Sequence, residues 1–144
     1  MTKDEIIIHC SDSPEGRNDT VNDIQRWHKS RGWKAIGYNY VIHLDGSIHK
    51  GRDLDGDGNV NEETGAHALG HNKRSIGICY IGGADSITRK PKDTRTPEQK
   101  EAMKELVLKL KRELGITKVL GHNEVSTKAC PSFDVKQWLI NECI

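Results

Sequence analysis

Three consecutive isoleucines, Ile6, Ile7 and Ile8, constrain this chain more than any other feature. In a strand, neighbouring side chains point to opposite faces, so the run EIIIHC at residues 5–10 would be apolar on both. A half-exposed strand alternates with polar residues instead, and an amphipathic helix repeats at three and four residues. A β-branched run this short fits a buried central strand. The stretch SIGICYIGG, residues 75–83, has the same character and closes on glycines.

Helical patterns lie between such runs. From Thr20 to about Arg31, Val21, Ile24 and Trp27 or His28 recur at helical spacing, and Gly32 stops the pattern. The clearest helix opens at TPEQ: Thr96 is a good N-cap, Pro97 suits the first helical position, and Gln99 completes a capping box. Met103, Leu106, Val107 and Leu110 form one apolar stripe, and Gly115 terminates it. YNYVIHLDGSIHKG reads as a hairpin turning at Asp45 and Gly46. KVLGH is a short strand leading into His122, and a last helix is expected from Asp134 to about Asn141, with Phe133 and Trp138 facing inward. Interleaved strands and helices without repeat or linker predict one α/β domain over residues 1–144, a central mixed sheet flanked by helices.

The chain's 144 residues suffice for one real core. A net charge of +1 gives no electrostatic case for nucleic acid or an anionic membrane. The basic run Arg89, Lys90, Lys92, Arg95 sits among Pro, Asp and Thr and reads as a solvated loop. The opening MTKDEIIIHC is too short and charged for a secretory segment, which needs roughly 7–15 apolar residues, or for a membrane helix, which needs about 20. Cytosolic synthesis without membrane insertion is therefore expected, with any action outside the cell waiting on release. An even count of four cysteines would permit two bridges, but a reducing compartment favours free thiols, buried at Cys10 and Cys79. Cys143 carries no readable message.

Chemistry concentrates in GHNEVSTKACPS, residues 121–132, which holds His122, Lys128 and Cys130. His9 ends the isoleucine strand, where open α/β sheets tend to place ligands. Two imidazoles and a thiolate make good zinc ligands, and three protein ligands leave a fourth tetrahedral position open for catalysis. From spacing alone, a nucleophilic Cys130–His122 pair and an unliganded loop stay open, and His28, His43, His49 and His71 read as surface or supporting residues. RDLDGDGNVNEETGAH resembles a calcium-binding loop, with Asp53, Asp55, Asp57 and Gly58 at its first, third, fifth and sixth positions. The glutamate expected at the twelfth position is Thr64, with Glu63 one residue early, so a plain acidic turn is the favoured reading.

IIIHC, RGWKAIGYNYVIHLDGSIHKGRD, GAHALGHNKRSIGI and GHNEVSTKACPS together resemble, in consistent order from about Glu5 to Leu139, the zinc-dependent N-acetylmuramoyl-L-alanine amidases. That group contains the T7 lysozyme-like amidases and the peptidoglycan recognition proteins. The resemblance implies one zinc ion per chain on His9, His122 and Cys130, with Tyr38 and Lys128 at the catalytic centre. It implies hydrolysis of the amide between the lactyl group of N-acetylmuramic acid and L-alanine. Lys128 matches the phage-type pattern, where animal recognition proteins usually carry threonine. Cytosolic recycling amidases of the wider superfamily place a glutamate in the strand that here carries Cys79, so proton handling must fall on other groups. His67 and Asn72 are expected as substrate contacts, and Trp33 as a buried aromatic rather than a sugar-stacking platform. The expected partner is peptidoglycan or a muropeptide, acted on by a monomer, most naturally a phage or prophage endolysin. A non-catalytic sensing module, a recycling amidase and a metal-independent cysteine hydrolase are the alternatives.

Overall fold

The computed structural model describes residues 2–144. Along the chain run β1 (Glu5–Cys10), β2 (Ser13–Pro14), α1 (Val21–Ser30), β3 (Tyr40–Ile42), β4 (Ile48–Lys50), β5 (Ser75–Tyr80), β6 (Gly83–Ala84), α2 (Pro97–Leu114), β7 (Lys118–Gly121) and α3 (Val135–Glu142), with a 3-10 turn at His122–Glu124. The main sheet has the order β4-β3-β5-β1-β7, and β2 and β6 form a separate parallel pair. Only β3 and β4 are antiparallel, so the sheet is mixed as expected.

The isoleucine run lies where its composition requires. β1 is flanked by β5 and β7, and all six of its residues are buried. The pleat then sorts side chains between two cores. Ile6, Ile8 and Cys10 join Ile76, Ile78 and Tyr80 under the stripe of α2 (Met103, Leu106, Val107, Leu110) and Trp138 of α3. On the other face Val41, Cys79 and Ile81 pack against Ile24 of α1 and Ile36. Fully burying one such side chain contributes about 1.5–3 kcal/mol. His9 follows Ile8 and pairs in register with Cys79, so it falls on the α1 face.

Local signals set the element ends. The Thr96 hydroxyl accepts from Gln99 N while the Gln99 side chain accepts from Thr96 N, and Gly115 closes α2 at φ 67°. The same reciprocal cap, Thr20 with Asp23, opens α1, although the sequence reading named neither residue as a cap. The hairpin turns through Gly46 at φ 85°, where an added Cβ would come 2.8 Å from the Glu98 carbonyl oxygen. One expectation is corrected. Arg95 is buried rather than solvated, its guanidinium 3.5 Å from the Phe133 ring centroid and paired with Asp93 at 3.0 Å. The ring face and the carboxylate together replace the water a basic loop would have kept. All four cysteines are free. Among the described residues no helix is long and apolar enough to cross a membrane.

Candidate metal centre

β1 and β7 are parallel neighbours, so their C-terminal ends lie at one edge of the sheet. Ile8 pairs with Gly121, which sets His9 and His122 side by side on the α1 face, with ring centroids 4.5 Å apart. The segment after the 3-10 turn is tied back to the sheet by Tyr80 Oη donating to the Pro131 carbonyl at 2.7 Å and Ser132 Oγ donating to the Gly83 carbonyl at 2.9 Å. Cys130 is thereby delivered to the end of β1, where its Sγ accepts from Cys10 N at 3.2 Å and lies 3.8 Å from His9 Nδ1. The ligand atoms of His9, His122 and Cys130 all fall within 4.8 Å of one another. Ligands on one tetrahedral zinc stand about 3.5 Å apart, as Zn–N near 2.0 Å and Zn–S near 2.3 Å require. The donor set fits zinc after a small contraction.

Hydrogen bonding settles which nitrogen His9 offers. The Ser75 hydroxyl gives its one proton to the His71 carbonyl at 2.7 Å, so toward His67 Nε2, at 3.2 Å, it can only accept. His67 is therefore protonated on Nε2 and bare on Nδ1, which faces His9 Nε2 at 2.8 Å. His9 must donate from Nε2, leaving its Nδ1 lone pair on the Cys130 side. Both rings are held neutral: burial, aided by Lys3 and His122, brings His67 down to about 3, and burial with the nearby His67, His122 and Lys128 holds His9 well below the ordinary range. A neutral imidazole with its far nitrogen engaged is the form that ligates metal. The Cys10 thiol beside it and burial push the Cys130 thiol up, so a bound cation's charge would be needed to keep it a thiolate.

The three atoms lie in the floor of a cleft of about 570 Å³, whose walls include Tyr38, His67 and Lys128. The Tyr38 ring stands 5.0 Å from that of His9. Burial, with the Cys79, Cys130 and Cys10 thiols close by, pushes its phenol well above the usual range, so it remains a donor. Lys128 is exposed at the rim. His67 borders the cleft, but both its ring nitrogens are engaged within the protein. Asn72, expected at the groove, is not among the cleft-lining residues; its Oδ1 accepts from His67 N and Ala68 N at 2.8 and 2.9 Å and shapes the turn that carries His67. Trp33 is corrected: it is 36% exposed, lines the cleft, and leans on His28 with ring centroids 4.5 Å apart.

Sequence reasoning missed the seat under His67. A Cβ on Gly77 would come 2.6 Å from the His67 ring and one on Gly65 2.7 Å, so both positions must be bare. The spacing GAH…SIG carried that signal. It also missed His28, whose Nδ1 accepts from Gly37 N at 2.9 Å, and Arg89, which lines the cleft from the basic run read as a solvated loop.

A family model described as N-acetylmuramoyl-L-alanine amidase matches residues 2–133. The endolysin of Klebsiella phage KP32 is 37% identical over 134 residues, spanning 93% of this chain and 83% of that protein. Among solved structures, the N-acetylmuramoyl-L-alanine amidase LysC from Clostridium intestinale superposes with a TM-score of 0.80 at 27% identity, covering 100% of this chain and 87% of LysC. A tyrosine-to-phenylalanine mutant of Drosophila PGRP-LB, solved in complex with tracheal cytotoxin, superposes at 0.69 and 31% identity, over 90% and 75% of the two chains.

Proposed function

The chain belongs to the N-acetylmuramoyl-L-alanine amidase family and is an amidase of the phage-endolysin type, and from that premise we infer that His9, His122 and Cys130 hold one zinc ion at its catalytic centre. The substrate is the amide between the lactyl group of N-acetylmuramic acid and L-alanine, in peptidoglycan or a muropeptide. Residues 1–144 act as one catalytic domain, as a monomer, on cell wall reached only after release from the cell.

Zinc bound there supplies Lewis acidity, polarising the scissile carbonyl and making water a better nucleophile. The protein's own groups do the rest. His67 fixes His9 in the tautomer that presents Nδ1 to the metal. The Lys128 ammonium, two residues before Cys130, meets the negative charge that grows on the carbonyl oxygen as water adds. The protonated phenol of Tyr38 donates to that oxygen or orients the attacking water. The proton that the attacking water gives up must pass to the departing L-alanine nitrogen as the C–N bond breaks. Cys79 does not relay it, because burial pushes its thiol well above the usual range. Tyr38 and Lys128 share that work. Trp33, partly exposed over His28, offers a flat apolar wall to the glycan.

The observation that carries this reading is the convergence of one sulfur and two imidazoles, from residues 9, 122 and 130, on the floor of the cleft. To test it, the protein is stripped with a chelator, reloaded one metal at a time, and incubated with purified sacculi while new N-terminal L-alanine is quantified. Release lost on stripping and restored by zinc is the expected result. Release that survives stripping would remove the metal from the chemistry. Sacculus binding by a zinc-loaded protein without release would make it a sensor.

A further inference from the structure

Outside the cleft-lining residues, the segment from Asp53 to Glu63 gathers a second set of donors, all of them oxygens. Ligand oxygens of Asp53, Asp55 and Glu63 lie within 4.8 Å of one another, and so do those of Asp55, Asp57 and Glu62. Acidic surface loops often look this way with nothing bound, and two further observations separate this one. Glu63 is only 8% exposed, yet among the described residues its carboxylate accepts no hydrogen bond and forms no salt bridge, the Lys3 charge acting on it without a direct contact. The Lys3 ammonium donates instead to the backbone carbonyls of Glu63 and Ser75, at 2.7 and 3.2 Å. Asp53 Oδ1 is the one carboxylate oxygen of this loop that is buried without a partner, while its Oδ2 accepts from Gly58 N at 2.9 Å. An orphaned carboxylate oxygen beside a second carboxylate that accepts no hydrogen bond is an arrangement a cation between them would satisfy.

We propose that this loop is a calcium site, with Asp53, Asp55 and Glu63 as its inner ligands and Asp57 and Glu62 at its outer edge. The donors are hard oxygens, more numerous than zinc takes and without nitrogen or sulfur, which selects calcium or magnesium. The irregular placement of Glu63, one position early for a regular loop, suits calcium's tolerant coordination better than magnesium's strict octahedron.

The site has a place in the fold. Asn39 Nδ2 donates to the carbonyls of Val60 and Glu63 at 2.8 and 3.2 Å, and Ala66 N donates to the Gly37 carbonyl at 3.0 Å. A cation gripping the Glu63 side chain would complete the clamp on the segment that carries His67 to His9.

Terbium is the probe. Tyr40 Oη is bonded to Asn61 of the loop, so tyrosine excitation can reach a lanthanide held there. Zinc-loaded, calcium-free protein is titrated with terbium, and the bound ion is then competed with calcium or magnesium. The expected result is saturable sensitised emission from one ion per chain, displaced at least tenfold more readily by calcium than by magnesium. Asp55→Asn, at an exposed position, should weaken terbium at least tenfold while zinc content stays at one per chain. Calcium should also raise the melting temperature of the wild type and not of Asp55→Asn. No saturable emission, equal emission from Asp55→Asn, or equal displacement by magnesium would each overturn the proposal. None of these readouts depends on the amidase assignment.

Discussion

Two regions of this molecule gather metal-type donors, and they do so by opposite means. The cleft cluster takes one nitrogen from the end of β1, one from just beyond β7 and a sulfur from the following loop, spanning residues 9 to 130. The acidic loop takes all its oxygens from residues 53–63. In the first, the rigid sheet sets the geometry: Ile8 opposite Gly121 puts the histidines together, and Ser75, through His67, sets the proton on His9. In the second, the chain turns around its own side chains, with Asp55 accepting from Asp57 N and Asp57 from Asn59 N. A site built from distant strands is already organised before its ion arrives. A site built from one loop depends on its ion for order.

That contrast can be broken or sharpened by experiment. The largest effect belongs to Cys130→Ser, which should lose stoichiometric zinc and bring L-alanine release below detection, yet leave terbium emission from the loop unchanged. Coupled loss of both would show the two regions to be one unit. Next is Lys128→Ala, expected to lower turnover by about 10²–10³ while zinc content holds; activity within a few-fold of wild type would remove Lys128 from the chemistry. His67→Ala should weaken zinc binding or turnover by roughly 10–100-fold, the usual cost of losing a ligand's outer partner. His67→Gln, which keeps an acceptor toward His9, should recover part of it, measured by competition with a zinc indicator. Gly77→Ala should resemble His67→Ala in weaker form, since its methyl displaces that ring without removing it.

The smallest expected effect is one of acid. Burial, with the charges of Arg31 and Arg52, lowers His28 to about 4, so folded His28 stays neutral while the unfolded chain takes up a proton below about 6.5. Its contribution is complete above that value and is lost as the pH falls, levelling off near 4. Melting temperatures across that window should slope less in His28→Asn. An unchanged slope would assign the acid sensitivity elsewhere.

The same contrast explains what was legible in the sequence. The isoleucine run, the TPEQ cap and the Asp45–Gly46 turn are local signals, and each led to the element observed. His9, His122 and Cys130 could be joined only by a guess about neighbouring strands, which the family motifs made firm. The proton relay through Ser75 and His67 was not legible, because it depends on which atom each group faces. Trp33 was misread because whether an aromatic is covered depends on tertiary neighbours that the local sequence does not carry. The acidic loop was visible from its spacing at Asp53, Asp55, Asp57 and Glu63, though a plain acidic turn was the favoured reading and Glu62 went unnamed. What the spacing could not convey was that Glu63, one place early, is nonetheless turned inward.

The position of β1 at the middle of the sheet has a consequence in time. Its partners β5 and β7 begin near residues 75 and 118, so the strand bearing His9 waits for most of the polypeptide before it is paired on both sides. Contacts this far apart in sequence close slowly, and strands complete only late in synthesis. During translation, then, the proposed centre cannot assemble until the segment holding Cys130 has left the ribosome and docked.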